Sequence, residues 1–390
     1  MTARSLDTSP LPFDAPLEDY DARAEALLEA WRAGHPAAVE IVRCRHPRFI
    51  DADVPWLANR EQSDADALRQ PFGRDDAREV VARAHDFRDR AALAEYVAAV
   101  RTEGSPVRVF ESAVESVVSG DLNSLQARLA RHPDLVHARS TRVTGFDPPA
   151  HRATLLHYVA ANGVEGYRQK TPPAVVSIAR ALLEAGADPD ALADLYGGQC
   201  TTLSLLVSSG HPAEAGVQIV LAETLVEAGA SLEPTGRGPW TSPLQTALVF
   251  GYADTARALV RLGARVDSLS AAAGLGLVEQ ARTRLAEADK DERHRALALA
   301  AQLGETEAVR LLLDNDEDPN RFNPPGTHSH STPLHQAALA GHLETVRVLV
   351  GRGARLDVRD TIYRSTPLGW ARHAGHAQVA AWLQVHGATD

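Results

Sequence analysis

The stretch from Ser331 to Asp390 decides the fold, because the same marks occur in it twice. It reads STPLHQAALAGHLETVRVLVGRGARLDVRDTIYRSTPLGWARHAGHAQVAAWLQVHGATD. Thr332-Pro333-Leu334 in the first half corresponds to Thr366-Pro367-Leu368 in the second half, 34 positions later. Small alanines, a Gly-His pair, a Val/Leu stretch and a Gly-Ala pair follow in the same order in both halves. A chain that repeats its marks at such a spacing is built of stacked supersecondary units.

Each mark has a physical role in a pair of helices. A threonine such as Thr332 caps the free backbone N–H groups at a helix start, and Pro333 fits the first helical position. Gly341 allows the left-handed turn that ends the first helix. The second helix carries an apolar stripe that includes Val346 and Leu349. The pattern therefore predicts helix pairs that bury their apolar faces against neighbouring pairs.

The Thr-Pro-Leu-His opening at 332–335 resembles the ankyrin repeat, whose unit is about 33 residues long. Comparable openings begin at Thr154, Thr201 and Ser242. The resemblance implies an all-α fold, an ankyrin-repeat α-solenoid with short turns or β-like fingers along one edge. It also implies that His335 links neighbouring loops through hydrogen bonds and is not a ligand or a base.

The same marks suggest how the chain is divided. We expect about eight ankyrin units across residues 106–390. Residues 17–105 are expected to form an additional N-terminal helical region, and the proline-rich residues 1–16 a flexible tail.

The N-terminal region contains a possible degenerate unit. The interval from Gly34 to His46 equals the 12 positions from Gly120 to His132, and Pro follows the His in both cases. This similarity favours an ankyrin-like helix pair that has lost its usual opening. Chance similarity of two helix–turn–helix pieces is the alternative, and the sequence leaves it open.

Composition narrows the class of protein. A hydrophobic content of 44% and a charged content of 23% over 390 residues are typical of a globular protein. The formal net charge of −11 argues against nucleic acid as a partner. No apolar run is long enough to predict a membrane span or a signal peptide. Two cysteines cannot build a disulfide framework, so we expect a cytoplasmic protein.

Motifs for catalysis and cofactors are missing or incomplete. The chain lacks a phosphate-binding G-x-x-x-x-G-K-[ST] loop, a G-x-S-x-G elbow and a C-x-x-C pair. The acidic run 314–318 resembles the start of a calcium loop, but Pro319 and Pro325 occupy its glycine and glutamate positions. His328, His330 and His335 lack a carboxylate or cysteine at a recognised spacing. We therefore expect no cofactor and no metal, and binding rather than catalysis.

Two units are longer than the others, and insertions in a stacked array commonly build a binding face. Thr154 to Thr201 spans 47 positions, and Thr201 to Ser242 spans 41. The segments 158–172 and 196–211 concentrate side chains that make strong contacts at interfaces. The candidate binding residues are Tyr158, Asn162, Tyr167, Arg168, Gln169, Lys170, Tyr196, Gln199 and His211. The alternative is that these segments pack on each other to seal a long loop.

Both segments also resemble runs in an uncharacterised family of bacterial ankyrin-repeat proteins. The resembling runs include 154–168, Tyr196-Gly197-Gly198 and 211–217, and the resemblance extends over most of the chain, including the block around Val80 to Val100. It implies the fold strongly and the activity hardly at all. We expect a scaffold or adaptor that binds a protein partner through the two segments. An enzyme or small-molecule binder, with a pocket formed by the same segments, is the alternative.

Overall fold

The computed structural model describes residues 9–54 and 56–389. The chain divides into two compact units, residues 1–229 (unit 1) and 230–390 (unit 2). In unit 1 the described helices and strands are α1 Leu17–Arg32, α2 Pro36–Arg45, α3 Asp64–Leu68, α4 Arg74–Ala84, α5 Arg90–Arg101, α6 Pro106–Ser119, α7 Leu122–Arg131, α8 Leu155–Val159, α9 Val175–Glu184, β1 Ala193–Leu195, β2 Gly198–Cys200, α10 Thr202–Leu206, α11 Gly210–Glu214 and α12 Gln218–Glu227. In unit 2 they are α13 Pro243–Val249, α14 Ala253–Arg261, α15 Leu269–Gly274, α16 Val278–Leu285, α17 Lys290–Gln302, α18 Thr306–Leu313, α19 Pro333–Leu339, α20 Leu343–Gly351, α21 Pro367–His373 and α22 Ala377–Val385.

Within residues 230–389, the helices of unit 2 form five successive pairs, from α13–α14 to α21–α22. The first helix of one pair packs on the first helix of the next: α15 on α17, α17 on α19 and α19 on α21. Buried alanines such as Ala300, Ala337 and Ala371 lie at these contacts. Small side chains allow neighbouring helices to approach closely. The predicted stack of ankyrin-type helix pairs is therefore confirmed.

The Thr-Pro-Leu-His opening forms the expected local structure. The Thr332 N–H and hydroxyl lie 3.3 and 2.8 Å from Nδ1 of the buried His335. Nε2 of the same ring donates to the carbonyl of Ser365, just before the next helix pair, at 3.2 Å. Burial lowers the pKa of His335 to about 4, so the ring stays neutral at pH 7. His335 thus links consecutive loops, as the resemblance implied.

In unit 1, the five described helices before residue 105 share a core. α1 and α2 pack on α4, and α5 packs on both α4 and α6. The core includes Leu27, Trp31, Phe49 and Leu93. The pairs α6–α7, α8–α9 and α10–α12 then follow along the described chain. The boundaries predicted near residues 16 and 105 stay predictions.

Two local features differ in detail from a regular array. The predicted tail at 1–16 begins outside the described residues, but its later part includes the buried Ala15. The carbonyl of Phe13 accepts a hydrogen bond from the Tyr96 hydroxyl at 3.1 Å. Residues 213–220, part of the longer spacing between Thr201 and Ser242, do not form one continuous helix. Gly216, at φ +70°, separates the short α11 from α12.

The stacked packing predicts the effect of removing a core side chain in unit 2. Leu312 in α18 is fully buried among its neighbours. Leu312→Ala should lower the free energy of unfolding by about 2–5 kcal/mol, because it removes buried apolar surface and leaves a cavity. Urea denaturation measures the change. Leu339→Ala, at a site where the side chain is 37% exposed, is the matched control and should cost less than half as much. Equal losses would contradict the stacking.

Candidate functional site

The inserted loop after α8 is held by buried charges rather than exposed as a free surface. Arg168 is only 1% exposed and lies in a short 3₁₀ turn, Gly166–Arg168. Its Nη2 lies 2.7 Å from Glu111 and 2.9 Å from Glu115, both on α6. Its Nη1 lies 3.6 Å from Glu165. These ion pairs therefore fix the inserted loop against α6.

A second arginine reaches the same carboxylate from another loop. Nε of Arg142 lies 3.4 Å from Glu165, and both side chains are buried. Arg142 donates to the His85 carbonyl at 2.7 Å and to the Tyr167 hydroxyl at 2.8 Å. Its guanidinium carbon lies 3.9 Å from the centre of the Phe87 ring, a favourable cation–π arrangement. We call Glu111, Arg142, Glu165 and Arg168 the ion cluster.

The ion cluster balances two guanidinium groups against two buried carboxylates. Burial alone raises the pKa of Glu165, but Arg142, the hydrogen bond from His151 at 3.2 Å and Arg168 outweigh it and hold the pKa below its ordinary value. Glu165 is therefore ionised at neutral pH. Buried charges that are paired in this way fix geometry, and loss of one partner leaves the other uncompensated.

The predicted binding residues fall into different environments. Tyr158 and Arg168 are buried and have no surface to offer a partner. Asn162, Tyr167, Gln169 and Gln199 are partly exposed, whereas Lys170, Tyr196 and His211 are exposed. The two segments do touch: the Tyr196 hydroxyl donates to Asn162 Oδ1 at 2.7 Å. Of the nine residues, Gln169 and Tyr196 line a common groove.

This groove is a cavity of about 660 Å³ on unit 1 with mostly apolar walls. Three large aromatic side chains at its edge are exposed to solvent: Trp56 by 61%, Phe146 by 41% and Tyr196 by 48%. Ile50, Phe87 and Leu195 add to the apolar lining. We call the space bounded by these six residues the aromatic groove. Clustered exposed apolar side chains of this kind mark interaction sites.

Sequence reasoning missed Trp56 and Phe146. Nothing in the sequence indicates that Trp56 lies near Phe146, which follows it by 90 positions. One signal was available, since a tryptophan in a polar, proline-containing loop lacks an obvious core to enter.

Tyr196, at the tip of the β1–β2 hairpin, has an unfavourable backbone conformation. Tyr196 and Gly197 connect the strands with φ values of +54° and +71°. Such two-residue turns favour Asn-Gly, and a left-handed conformation costs a residue such as tyrosine about 1–2 kcal/mol. The hairpin thus places an aromatic ring at the groove where asparagine would suit the backbone better.

Gly163 lets the hairpin approach the inserted loop. A Cβ at this position, where φ is +73°, would lie 2.6 Å from Cδ1 of Leu195. Because Leu195 lines the aromatic groove and precedes Tyr196, the groove wall depends on this close contact.

The lining of the aromatic groove also includes the polar side chains of Arg45, Arg83, Asp86, Asp147 and Gln169. Oδ2 of Asp86 accepts a hydrogen bond from the Gly166 N–H at 2.8 Å, and Arg45 lies 4.0 Å from Oδ1. Burial raises the pKa of Asp86, although Arg45 acts in the opposite direction. His157, Tyr167 and His211, which the enzyme alternative would need, do not line the groove. The geometry does not assemble an acid–base pair from them.

The residues described give little sign of other chemistry. No group of three or more His, Cys, Asp or Glu side chains in residues 9–54 and 56–389 could hold a metal ion. His328 contacts the Val249 carbonyl at 3.0 Å, so its ring already has a partner. Across the part of the chain that the structure describes, no helix combines the length and apolarity needed to cross a bilayer.

Comparison with known proteins agrees with this architecture. The family model for ankyrin repeats (3 copies) matches residues 269–360 and 324–390. Human cyclin-dependent kinase 4 inhibitor B is 38% identical over 127 residues, which is 32% of this chain and 89% of that protein. Human cyclin-dependent kinase inhibitor 2A is 32% identical over 158 residues, 40% of this chain and 82% of that protein.

The solved structure of the human ASB11 ankyrin repeat domain is 20% identical in sequence and superposes with a TM-score of 0.36. The matched region covers 71% of this chain and 98% of that chain. The chain belongs to the ankyrin-repeat proteins. The relatives named are eukaryotic, so the bacterial membership suggested by the sequence stays a prediction.

The ion cluster predicts a large loss of stability when one charge is removed. Arg168→Met should lower the free energy of unfolding by about 3–5 kcal/mol, because Glu111 would be left buried without its cation and Glu165 would keep only Arg142. Chemical denaturation measures the loss. Arg180→Met, at an exposed position of α9, is the matched control and should change stability by less than about 1 kcal/mol. A small effect of both changes would show that the cluster does not hold the loop.

Proposed function

We propose that this protein is a non-catalytic scaffold that binds a protein partner, and that the partner inserts an apolar side chain into the aromatic groove. The observation that carries the proposal is the meeting of three exposed aromatic side chains, Trp56, Phe146 and Tyr196, around one cavity. They come from three segments far apart in the sequence, so local folding does not explain why they meet.

The energetics of the groove favour an occupant. Each exposed aromatic ring leaves apolar surface in water, and covering it contributes about 25 cal/mol per Å². Trp and Tyr are among the residues that dominate binding energy at interfaces. In addition, Tyr196 occupies an unfavourable turn conformation at the groove. A backbone cost of this kind is common at sites that serve binding.

The relatives support a protein as the partner. Their names describe inhibitors of cyclin-dependent kinases, which are themselves proteins. The shared stretch covers about a third of this chain, so the class of partner carries over and its identity does not.

Location and source belong to the same proposal. Both cysteines, Cys44 and Cys200, are free, which suits a reducing cytoplasm. The runs at 154–168 and 211–217 support a bacterial source. The formal net charge of −11 favours a protein partner over nucleic acid.

The second candidate is a small-molecule site in the same groove. A cavity of about 660 Å³ has the size of many ligand pockets. However, Trp56 is 61% exposed, and a ligand that only fills the cavity would leave much of this ring in water. The side chains expected to do chemistry lie elsewhere. A protein segment covers the rim as well as the cavity, which is why we favour it.

The groove contains its own reporter. Cys44 is exposed and lines the groove, whereas Cys200 is buried, and burial raises the pKa of its thiol to about 11. A thiol reagent therefore modifies Cys44 selectively. A photo-crosslinker attached to Cys44 can capture the partner from cells of the source organism, and the captured protein is then purified.

The purified partner should slow the modification of Cys44, because it covers the groove. Trp56→Ser combined with Tyr196→Asn should weaken its binding at least about tenfold, the effect expected when interface aromatic residues are lost. Asparagine suits the turn at 196, so the variant should stay folded, as circular dichroism can verify. Calorimetric titration measures the affinity.

Tyr363→Asn is the matched control, since this tyrosine is 53% exposed and lies in unit 2. Its affinity should equal that of the unmodified protein. Full affinity in the Trp56/Tyr196 variant, or unchanged reactivity of Cys44 in the complex, would refute the groove as the binding site. An Arg168 variant is unsuitable for this purpose, because Arg168 is buried in the ion cluster.

A further inference from the structure

A second cavity on unit 1, of about 500 Å³, lies between the start of α6 and the end of α7. Its lining differs from that of the aromatic groove because charged and hydroxyl side chains dominate it. The polar residues that line it are Glu103, Arg108, Ser112, Ser124, Arg128, Arg131 and His132. We call this cavity the arginine pocket.

The arginine pocket carries an unbalanced positive charge. Three arginines and one carboxylate, that of Glu103, line it. A second carboxylate, that of Asp14, lies outside the lining and pairs with Arg108. The excess is notable because the whole chain has a formal net charge of −11. Arg128 and Arg131 lie on one face of α7, three residues apart, and Arg108 approaches from α6. Like charges placed so close together are unfavourable without a counter-charge.

Some exposed arginines elsewhere in this chain have carboxylate partners, and others, such as Arg261, have none among the described residues. Arg257 lies 2.8 Å from Glu305, and Arg310 lies 3.2 Å from Glu344. By contrast, neither Arg128 nor Arg131 forms an ion pair with any residue that the structure describes. Arg128 contacts only the Ser116 hydroxyl through its Nε, at 3.4 Å, which leaves its two terminal nitrogens for another acceptor.

Helix dipoles explain part of the arrangement and leave part unexplained. Arg128 and Arg131 lie in the last turn of α7, where a cation is favourable. Arg108 lies in the first turn of α6, where a cation is unfavourable and where the turn itself contains no acidic residue. Arg108 is held there by the Val100 carbonyl at 3.0 Å and by Asp14 at 3.5 Å. The positive end of a 14-residue helix thus adds to the positive charge of the pocket.

We propose that the arginine pocket binds a phosphate monoester group, either as a free anion or on a side chain of a partner protein. Guanidinium groups present paired N–H donors that match phosphate oxygens. The hydroxyl of Ser112 adds a neutral donor to the lining. A group with two negative charges suits Arg128 and Arg131, which have no ion pair of their own, better than a single carboxylate does. This site is distinct from the aromatic groove, and it does not depend on the proposed function above.

The test uses the full chain and inorganic phosphate. Phosphate should raise the melting temperature above the value in sodium chloride of equal ionic strength, because a ligand that binds only the folded state stabilises it. Acetate at the same ionic strength should have no such effect. Calorimetric titration then gives the dissociation constant.

Two variants change the affinity in opposite directions. Arg131→Gln should weaken phosphate binding about tenfold, as expected for the loss of a charged hydrogen bond. Glu103→Gln should strengthen it, because it removes the carboxylate that opposes the anion. Arg261→Gln is the matched control: Arg261 is also exposed and is also the last residue of its helix, α14. It should leave the affinity unchanged.

A phosphoserine peptide and its unphosphorylated form distinguish the two sources. Tighter binding of the phosphopeptide than of inorganic phosphate, lost in Arg131→Gln, assigns the site to a modified partner protein. Equal or weaker binding of the phosphopeptide assigns it to the free anion. Absence of any phosphate-specific stabilisation, or an equal response in Arg131→Gln and the unmodified chain, would overturn the proposal.

Discussion

Close packing between the first helices of neighbouring pairs is the constraint on which unit 2 depends. Each pair has apolar surface on both sides, and a pair without neighbours would leave that surface in water. Alanines such as Ala300 and Ala337 keep the helices close, while leucines such as Leu312 fill the space behind them. The hydrogen bond from His335 to the carbonyl of Ser365 then fixes the loop before one helix pair to the loop before the next pair. The free energy of unfolding is consequently shared among the helix pairs of unit 2 and does not belong to any one pair.

Unit 1 adds an electrostatic constraint to this packing. The ion cluster joins three parts of the chain: α6 through Glu111, the loop that carries Arg142, and the inserted loop that carries Glu165 and Arg168. Arg142 also lies over Phe87, which lines the aromatic groove. Phe87 thus contacts the ion cluster and also lines the aromatic groove. The buried ion pairs therefore hold this part of the groove lining in place. A site on a rigid support needs less ordering when a partner binds.

The fold was predictable from the sequence because its marks are local. Thr332, Pro333 and Gly341 act within one helix pair, and a repeat of such marks is visible without knowledge of contacts. The candidate site was only partly predictable. Tyr196 and Gln169 were expected in a binding segment and do line the groove, but Tyr158 and Arg168 are buried. A sequence shows that a tyrosine or an arginine is present and not which way it points. Trp56 and Phe146 could not be assigned, because their meeting depends on contacts between distant loops.

The ion cluster also restricts how this sequence can change over time. Replacement of Glu165 alone leaves two guanidinium groups buried with one carboxylate fewer, and replacement of Arg168 alone leaves an excess of negative charge. Neither intermediate is neutral, so an ancestor could exchange these ions for apolar side chains only through paired substitutions. Descendants of this chain should accordingly keep the four charged residues together or lose them together, and the groove that rests on them should follow the same inheritance.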